Sequence, residues 1–167
     1  MLSTTMLLTM FEYNYQTNNR LLDLAAKATP EEWDAPQEAG QRSLHATLFH
    51  LLTVEEEWIE FCEHGKPNFD YRNLADYPDV ASLRAFSDQT YQVIHRYLEG
   101  MTETLLTSTV HGKMPADVGE RTATIWHLLI HTLYHSAQHR SEVASMLTRY
   151  HLSPGEIDFF GFGCGWW

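Results

Sequence analysis

Four long segments of this 167-residue chain carry apolar residues at helical spacing, and this pattern constrains the fold more than any other feature. The segments cover about residues 2–28, 43–63, 80–107 and 122–150, where apolar side chains recur at three- and four-residue steps. We find no strand-like alternation, no internal repeat and no low-complexity tract beside them. The sequence therefore predicts an all-α, four-helix bundle that forms one domain over residues 1–167.

Breakers and capping residues set the expected ends of these segments. Residues 66–80, 110–121 and 151–167 between and after them are rich in Gly, Pro, Asn and Asp, and are predicted to be loops or irregular structure. A short turn is expected over residues 31–33. The residues that mark the boundaries, in chain order, are Pro30, Ser43 as an N-cap, Gly65, Pro67, Gly100 as a break, and Thr122 or Thr124 as a cap.

The charge balance bears on the class of partner. Lysine and arginine total 11 against 22 aspartate and glutamate, a net charge of −11, and no basic cluster is present. This composition disfavours binding to nucleic acid or to an anionic membrane surface.

No apolar window reaches the about 18 residues of a membrane span, and the N-terminus lacks a basic region and a cleavage site, so we expect a cytoplasmic protein. Cys62 and Cys164 form no CxxC pair and are expected to be reduced.

The fourth segment contains a regular histidine ladder, "HLLIHTLYHSAQHR", with histidines at 127, 131, 135 and 139. On a helical wheel, His135 and His139 lie inside or at the edge of the apolar sector. His131 lies on its border, and His127 lies outside it. Two histidines four residues apart on an inward face are able to share one metal ion, although ordinary core or surface histidines are the commoner explanation for such a pair.

A third ligand from another helix would strengthen the metal interpretation. In the second segment, His50 and His45 flank opposite sides of the apolar face, and the wheel gives only a slight preference to His50. Glu55 lies in the middle of that face, where an unpartnered carboxylate is costly. We expect it to have a partner, either a histidine N–H or the site itself, unless the helix rotates to expose it.

Several segments together resemble the DinB/YfiT-like family of metal-dependent enzymes. The first segment, "FEYNYQTNNRLLDLAAKATPEEW", looks like the opening of the family, and "TLFHLLTVEEEWIEF" is similar to its second helix. "LLIHTLYHSAQHRSEV" is the most specific match, and "EIDFF" fits the C-terminal part. The likeness covers nearly the whole chain. One departure is Ser141, where the family often has glycine.

The resemblance implies an up-down-down-up bundle that holds a divalent metal through His50, His135 and His139. Three imidazoles plus an open position are typical of a catalytic site. Zinc, nickel, cobalt or iron(II) would all accept these ligands, and the sequence does not choose among them, although zinc or nickel is the expected metal. Such an ion lowers the pKa of bound water to about 7 or binds a thiolate. The resemblance therefore implies a thiol-dependent S-transferase or a hydrolase acting on a small molecule, with a low-molecular-weight thiol as a candidate substrate. Glu55 is a candidate orienter of a ligand imidazole, and His131 a candidate proton shuttle.

Two other functions are weighed against this one. Aromatic residues make up 13% of the chain, and a pocket lined by Tyr13, Trp58 and Trp126 would suit a non-catalytic ligand-binding or stress-response bundle, unless these rings only fill the core. A ferritin-like di-metal site is disfavoured, because no histidine has a glutamate three residues before it. A homodimer is expected, since two-fold dimers are the commonest oligomers.

Overall fold

The computed structural model describes residues 3–37, 42–65, 72–113 and 119–165. Four long helices, the first, third, fourth and sixth in chain order, dominate the described part and confirm the all-α prediction. The elements are α1 (Thr4–Ala25), α2 (Pro30–Asp34), α3 (Leu44–His64), a 3₁₀ helix (Leu74–Asp76), α4 (Val80–Glu99), α5 (Glu103–Thr107), β1 (Thr109–Lys113), β2 (Glu120–Thr124), α6 (Ile125–Arg149) and α7 (Phe159–Gly163).

The four long helices pack in a ring around a common core. α1 lies against α4 and α6, and α3 lies against the same two helices, so α1 and α3 stand diagonally opposite each other. Two clusters of buried apolar side chains fill the interior. The first joins the starts of α1 and α6 to the ends of α3 and α4, and the second joins the opposite ends. This distribution favours the up-down-down-up order, which stays a prediction.

The helix boundaries follow the local signals closely. Ser43 caps α3 by accepting a hydrogen bond from the Ala46 N–H at 3.1 Å, as expected. The third segment breaks at Gly100, as expected, before a separate short helix. The turn expected over residues 31–33 is the short helix α2, which Thr29 caps. Side-chain oxygens satisfy the first free N–H groups at these helix starts, and the boundaries therefore lie where the sequence places them.

A β-hairpin replaces part of the predicted loop over residues 110–121. β1 pairs with β2 in antiparallel register from Thr109↔Thr124 to Lys113↔Glu120, so the expected absence of strands was wrong. Of the two caps predicted for the fourth helix, Thr124 is the N-cap of α6, and Thr122 lies in β2. The hairpin packs on the end of α3, where a Cβ on Gly112 would lie 1.8 Å from the Gly65 carbonyl oxygen. This docking is a tertiary contact without a local signature. The predicted loop residues 66–71 and 114–118 lie outside the described residues.

The C-terminal segment folds back on α1. The Tyr13 hydroxyl donates to the Ile157 carbonyl at 2.7 Å, and Arg20 donates to the Pro154 carbonyl at 2.6 Å. The segment was predicted to be irregular, but it includes α7, which Asp158 caps by accepting from the Gly161 N–H. None of the helices in the described ranges combines the length and the apolar character that crossing a bilayer requires.

Candidate metal centre

Three imidazoles meet where α3 packs on α6. His50 comes from α3, and His135 and His139 lie one turn apart on α6. The centroid of the His50 ring lies 5.2 Å from that of His135 and 4.8 Å from that of His139, and the two α6 rings are 4.4 Å apart. One ring nitrogen from each residue lies within 4.8 Å of the others. The structure thus brings together the three histidines that the sequence singled out.

The spacing of the donor atoms fits a single small cation. The Nε2 atoms of His135 and His139 are 3.2 Å apart. Two nitrogens bound at about 2.1 Å to one tetrahedral ion are about 3.4 Å apart, which is close to this distance. The donors are all imidazole nitrogens, a set that suits zinc, nickel, cobalt or iron(II) rather than calcium or magnesium.

A carboxylate holds the His139 ring from its far side. The Nδ1 atom of His139 lies 2.7 Å from the Glu142 carboxylate, three residues along the same helix. Because this carboxylate accepts a hydrogen bond from Nδ1–H, it leaves the lone pair of Nε2 pointing at the other imidazoles. A carboxylate in this position fixes both the tautomer and the orientation of a metal-binding histidine.

His135 is held differently. Its Nδ1 atom is buried without a hydrogen-bond partner in the described part of the chain, so no protein group fixes its tautomer from behind. Its Nε2 atom faces His139, as described above. The orientation of this ring therefore depends on packing and on whatever its Nε2 atom binds.

The surroundings of His50 and His135 favour the neutral form of both imidazoles. Burial, aided by the positive charge of Arg42, lowers the pKa of His50 to about 3. Burial and the neighbouring His139 lower the pKa of His135 to about 4. Both rings are therefore uncharged near pH 7, which is the form that binds metal. His139 is buried, whereas His50 and His135 are only half-buried, so the cluster can be reached from solvent.

Glu55 is buried and hydrogen-bonded, but its partners are not imidazoles. Its Oε1 atom accepts hydrogen bonds from Asn14 at 2.7 Å, Asn18 at 2.9 Å and the Ser136 hydroxyl at 2.7 Å. Arg140 adds a positive charge nearby and donates to the Asn14 side chain. This polar layer lies between the two apolar clusters and ties α1 and α3 to α6. Glu55 therefore has partners, as expected, but they come from α1 and α6. The hydrogen bonds hold together the helices that carry the histidines and do not orient an imidazole.

His131 stands outside the cluster. Its side chain is exposed, with its ring 6.0 Å from that of His135 and edge-on to Trp58 at 4.8 Å. His127 is also exposed and lies beside Trp126. The ladder is thus divided as the wheel predicted, with two members in the cluster and two outside it. The role of His131 as a proton shuttle stays a prediction.

Two residues of the site were missed by the sequence analysis. Glu142 had a readable signal, since a carboxylate three residues after His139 lies on the same side of a helix. Arg42 had none, because it precedes the N-cap of α3, where no periodicity fixes its direction. The predicted aromatic pocket of Tyr13, Trp58 and Trp126 does not form as expected. Tyr13 lines a cavity whose walls include neither Trp58 nor Trp126.

The fold and the histidine cluster define a class of protein, a helical bundle with an imidazole-only centre between two of its helices. The DinB family model matches residues 1–162, which include all of these features, and the chain belongs to the DinB family. The uncharacterized protein YizA of Bacillus subtilis (strain 168) is a relative with 25% identity over 154 residues, covering 90% of this chain and 92% of YizA. Its name assigns no activity, so the chemistry has to be argued from the site itself.

Proposed function

We propose that this protein is an enzyme that binds one divalent metal ion through His50, His135 and His139 and acts on a small-molecule substrate. The observation that carries the proposal is the convergence of three imidazoles from two helices, with ligand nitrogens within 4.8 Å of one another. Three nitrogen ligands leave a coordination position open, as in catalytic rather than structural sites. We favour zinc or nickel as the metal.

The ion would supply Lewis acidity, which makes a thiol or a water molecule nucleophilic near neutral pH. A thiol-dependent S-transferase and a hydrolase are therefore the two reaction types that this site suits. The chain contributes the rest. Glu142 orients His139, the Glu55 layer holds α3 and α6 in register, and the half-buried edge of His50 and His135 admits the substrate.

Metal binding tests this proposal directly. Protein stripped with a chelator is titrated with Zn²⁺, Ni²⁺ and Co²⁺, and bound metal is measured by elemental analysis and by the absorption spectrum of Co²⁺. We expect one equivalent in the native protein and none in His135→Ala. His127→Ala is the matched control, since it removes an exposed histidine from the same helix. The proposal fails if the native protein binds no metal, or if His135→Ala binds as well as His127→Ala.

Turnover is the second stage of the test. The loaded protein is assayed with thiol acceptors and with hydrolysable esters and amides, before and after chelation. A reaction that disappears on chelation and in His135→Ala, and returns with added metal only in the native protein, supports an enzyme. Metal binding without any such reaction would leave a metal-binding protein and remove the catalytic part of the proposal.

A non-catalytic binding protein is the second candidate, and one cavity favours it. This cavity, of about 310 Å³, lies between α1, α6 and α7, and its lining is mainly apolar. Tyr13, Leu133 and Phe159 are among its walls, and its volume lies at the lower end of the range for small-ligand pockets. An apolar fluorescent probe that binds equally to native protein and to His135→Ala would support this function.

A further inference from the structure

A second cavity, of about 360 Å³, opens beside the histidine cluster between the start of α3 and the last turns of α6. It differs from the apolar cavity in its chemistry, because charged and hydroxyl side chains line it. Two arginines line it, Arg42 from the chain just before α3 and Arg149 from the end of α6, together with Ser145 and Glu142. The cavity is thus built from the same two helices that supply the imidazoles.

The cavity and the cluster share a wall. Glu142, which lines the cavity, is the carboxylate that holds His139 through Nδ1 at 2.7 Å. The charge of Arg42 reaches the rings of His50 and His135, where it helps to lower their pKa values. The cavity therefore lies directly beside the histidine cluster.

The cavity brings together two arginines that have no carboxylate partner among the residues that the structure describes, in a protein whose acidic residues outnumber its basic ones by 22 to 11. Two arginines elsewhere are neutralised, Arg72 by Glu56 and Arg84 by Asp23. In contrast, Arg42 and Arg149 form no ion pair within the described residues, and Arg149 donates only to the neutral side chain of Gln37. The carboxylate of Glu142, which contacts His139, lines the same concave surface, so the two guanidinium groups leave a net positive charge there.

We propose that this cavity binds an anionic group, a carboxylate or a phosphate, of the small molecule whose reacting atom meets the histidine cluster. Arg42 and Arg149 would be the binding groups, since the planar guanidinium matches both oxyanions through paired hydrogen bonds. This inference rests on the proposed function for the position of the reacting atom, but the anion subsite itself requires no metal. The inference implies that the substrate carries a negative charge next to its reacting group.

Binding of small anions to the metal-free protein tests the subsite alone. Inorganic phosphate, succinate and the neutral succinamide are titrated at low ionic strength, and amide chemical shifts are followed. We expect saturable shifts centred on Thr47 and Ser145, which both line the cavity, with at least one anion and none with succinamide. Phosphate alone would indicate a phosphate ester as the substrate, and succinate alone a carboxylate.

Three variants make the test specific. Arg42→Gln and Arg149→Gln should each weaken anion binding by about tenfold, because each removes charge-assisted hydrogen bonds. Arg96→Gln is the matched control, since Arg96 is exposed on α4, which does not line this cavity. The inference is overturned if neither anion binds, if succinamide binds as well as succinate, or if Arg96→Gln weakens binding as much as Arg42→Gln.

Co²⁺ titration of the same variants separates the two proposals. Arg42→Gln and Arg149→Gln should still take up one equivalent of Co²⁺, because neither arginine is a ligand. Anion binding without Co²⁺ binding would refute the metal site and leave the subsite intact. Co²⁺ binding without anion binding would refute the subsite and leave the proposed function intact.

Discussion

Replacing Glu142 by glutamine should weaken metal binding, because it removes the carboxylate that accepts from His139 Nδ1 at 2.7 Å. The amide keeps the shape of the side chain and an oxygen that accepts from Nδ1–H, but not the negative charge, so the hydrogen bond weakens and the ring loses basicity. Loss of such an outer partner typically costs about 10- to 100-fold in affinity. The Glu142 side chain is 46% exposed and partly solvated, so we expect the lower limit, about tenfold or about 1.4 kcal/mol.

The assay is a competition between the protein and a coloured chelator for Zn²⁺ at pH 7.5. Glu99→Gln is the matched control, since Glu99 also lies beside a histidine of its own helix, at 3.5 Å from His95, but far from the cluster. Thermal unfolding of the metal-free variants checks that both remain folded. The reasoning is refuted if Glu142→Gln binds Zn²⁺ within twofold of native protein, or if Glu99→Gln weakens binding to the same extent.

Two further predictions concern the interior. Glu55→Ala leaves three buried donors without an acceptor and should lower the free energy of unfolding, measured in urea titrations, by about 3–5 kcal/mol. Ser136→Ala should lower it by about 1–2 kcal/mol. A loss below about 1 kcal/mol for Glu55→Ala would contradict the role of the buried polar layer. Burial raises the pKa of Cys62 to about 12, so at pH 8 roughly one molecule in ten thousand carries the Cys62 thiolate. A thiol reagent should therefore label only the exposed Cys164 until the protein is unfolded. Equal labelling of both thiols in the folded protein would rule this out.

Helical periodicity was enough to predict the bundle and to divide the histidine ladder. A residue's direction around its own helix depends only on its position in the sequence, so His135 and His139 had to point inward if α6 formed at all. The same rule placed Glu55 toward the core, where a carboxylate needs a partner unless the helix rotates to expose it. These conclusions hold whatever the arrangement of the other helices.

Which side chains meet across helices was decided by the tertiary structure. His45 and His50 flank the same apolar face, and only packing separates their roles. His45 faces Asp34 and the Tyr77 carbonyl, at 3.0 Å and 2.7 Å, whereas His50 faces α6. The tertiary structure also decided which residues contact Glu55, since Asn14 comes from α1, which lies diagonally opposite α3.

The hairpin and the arginine-lined cavity were also decided only by the tertiary structure. β1 and β2 form where Gly112 meets Gly65, and Arg42 and Arg149 line one cavity although they are 107 positions apart in the chain. A sequence determines which way each side chain points from its own helix axis. Which helix lies opposite is set by burial of the apolar faces of all the helices at once, and that is a property of the whole chain.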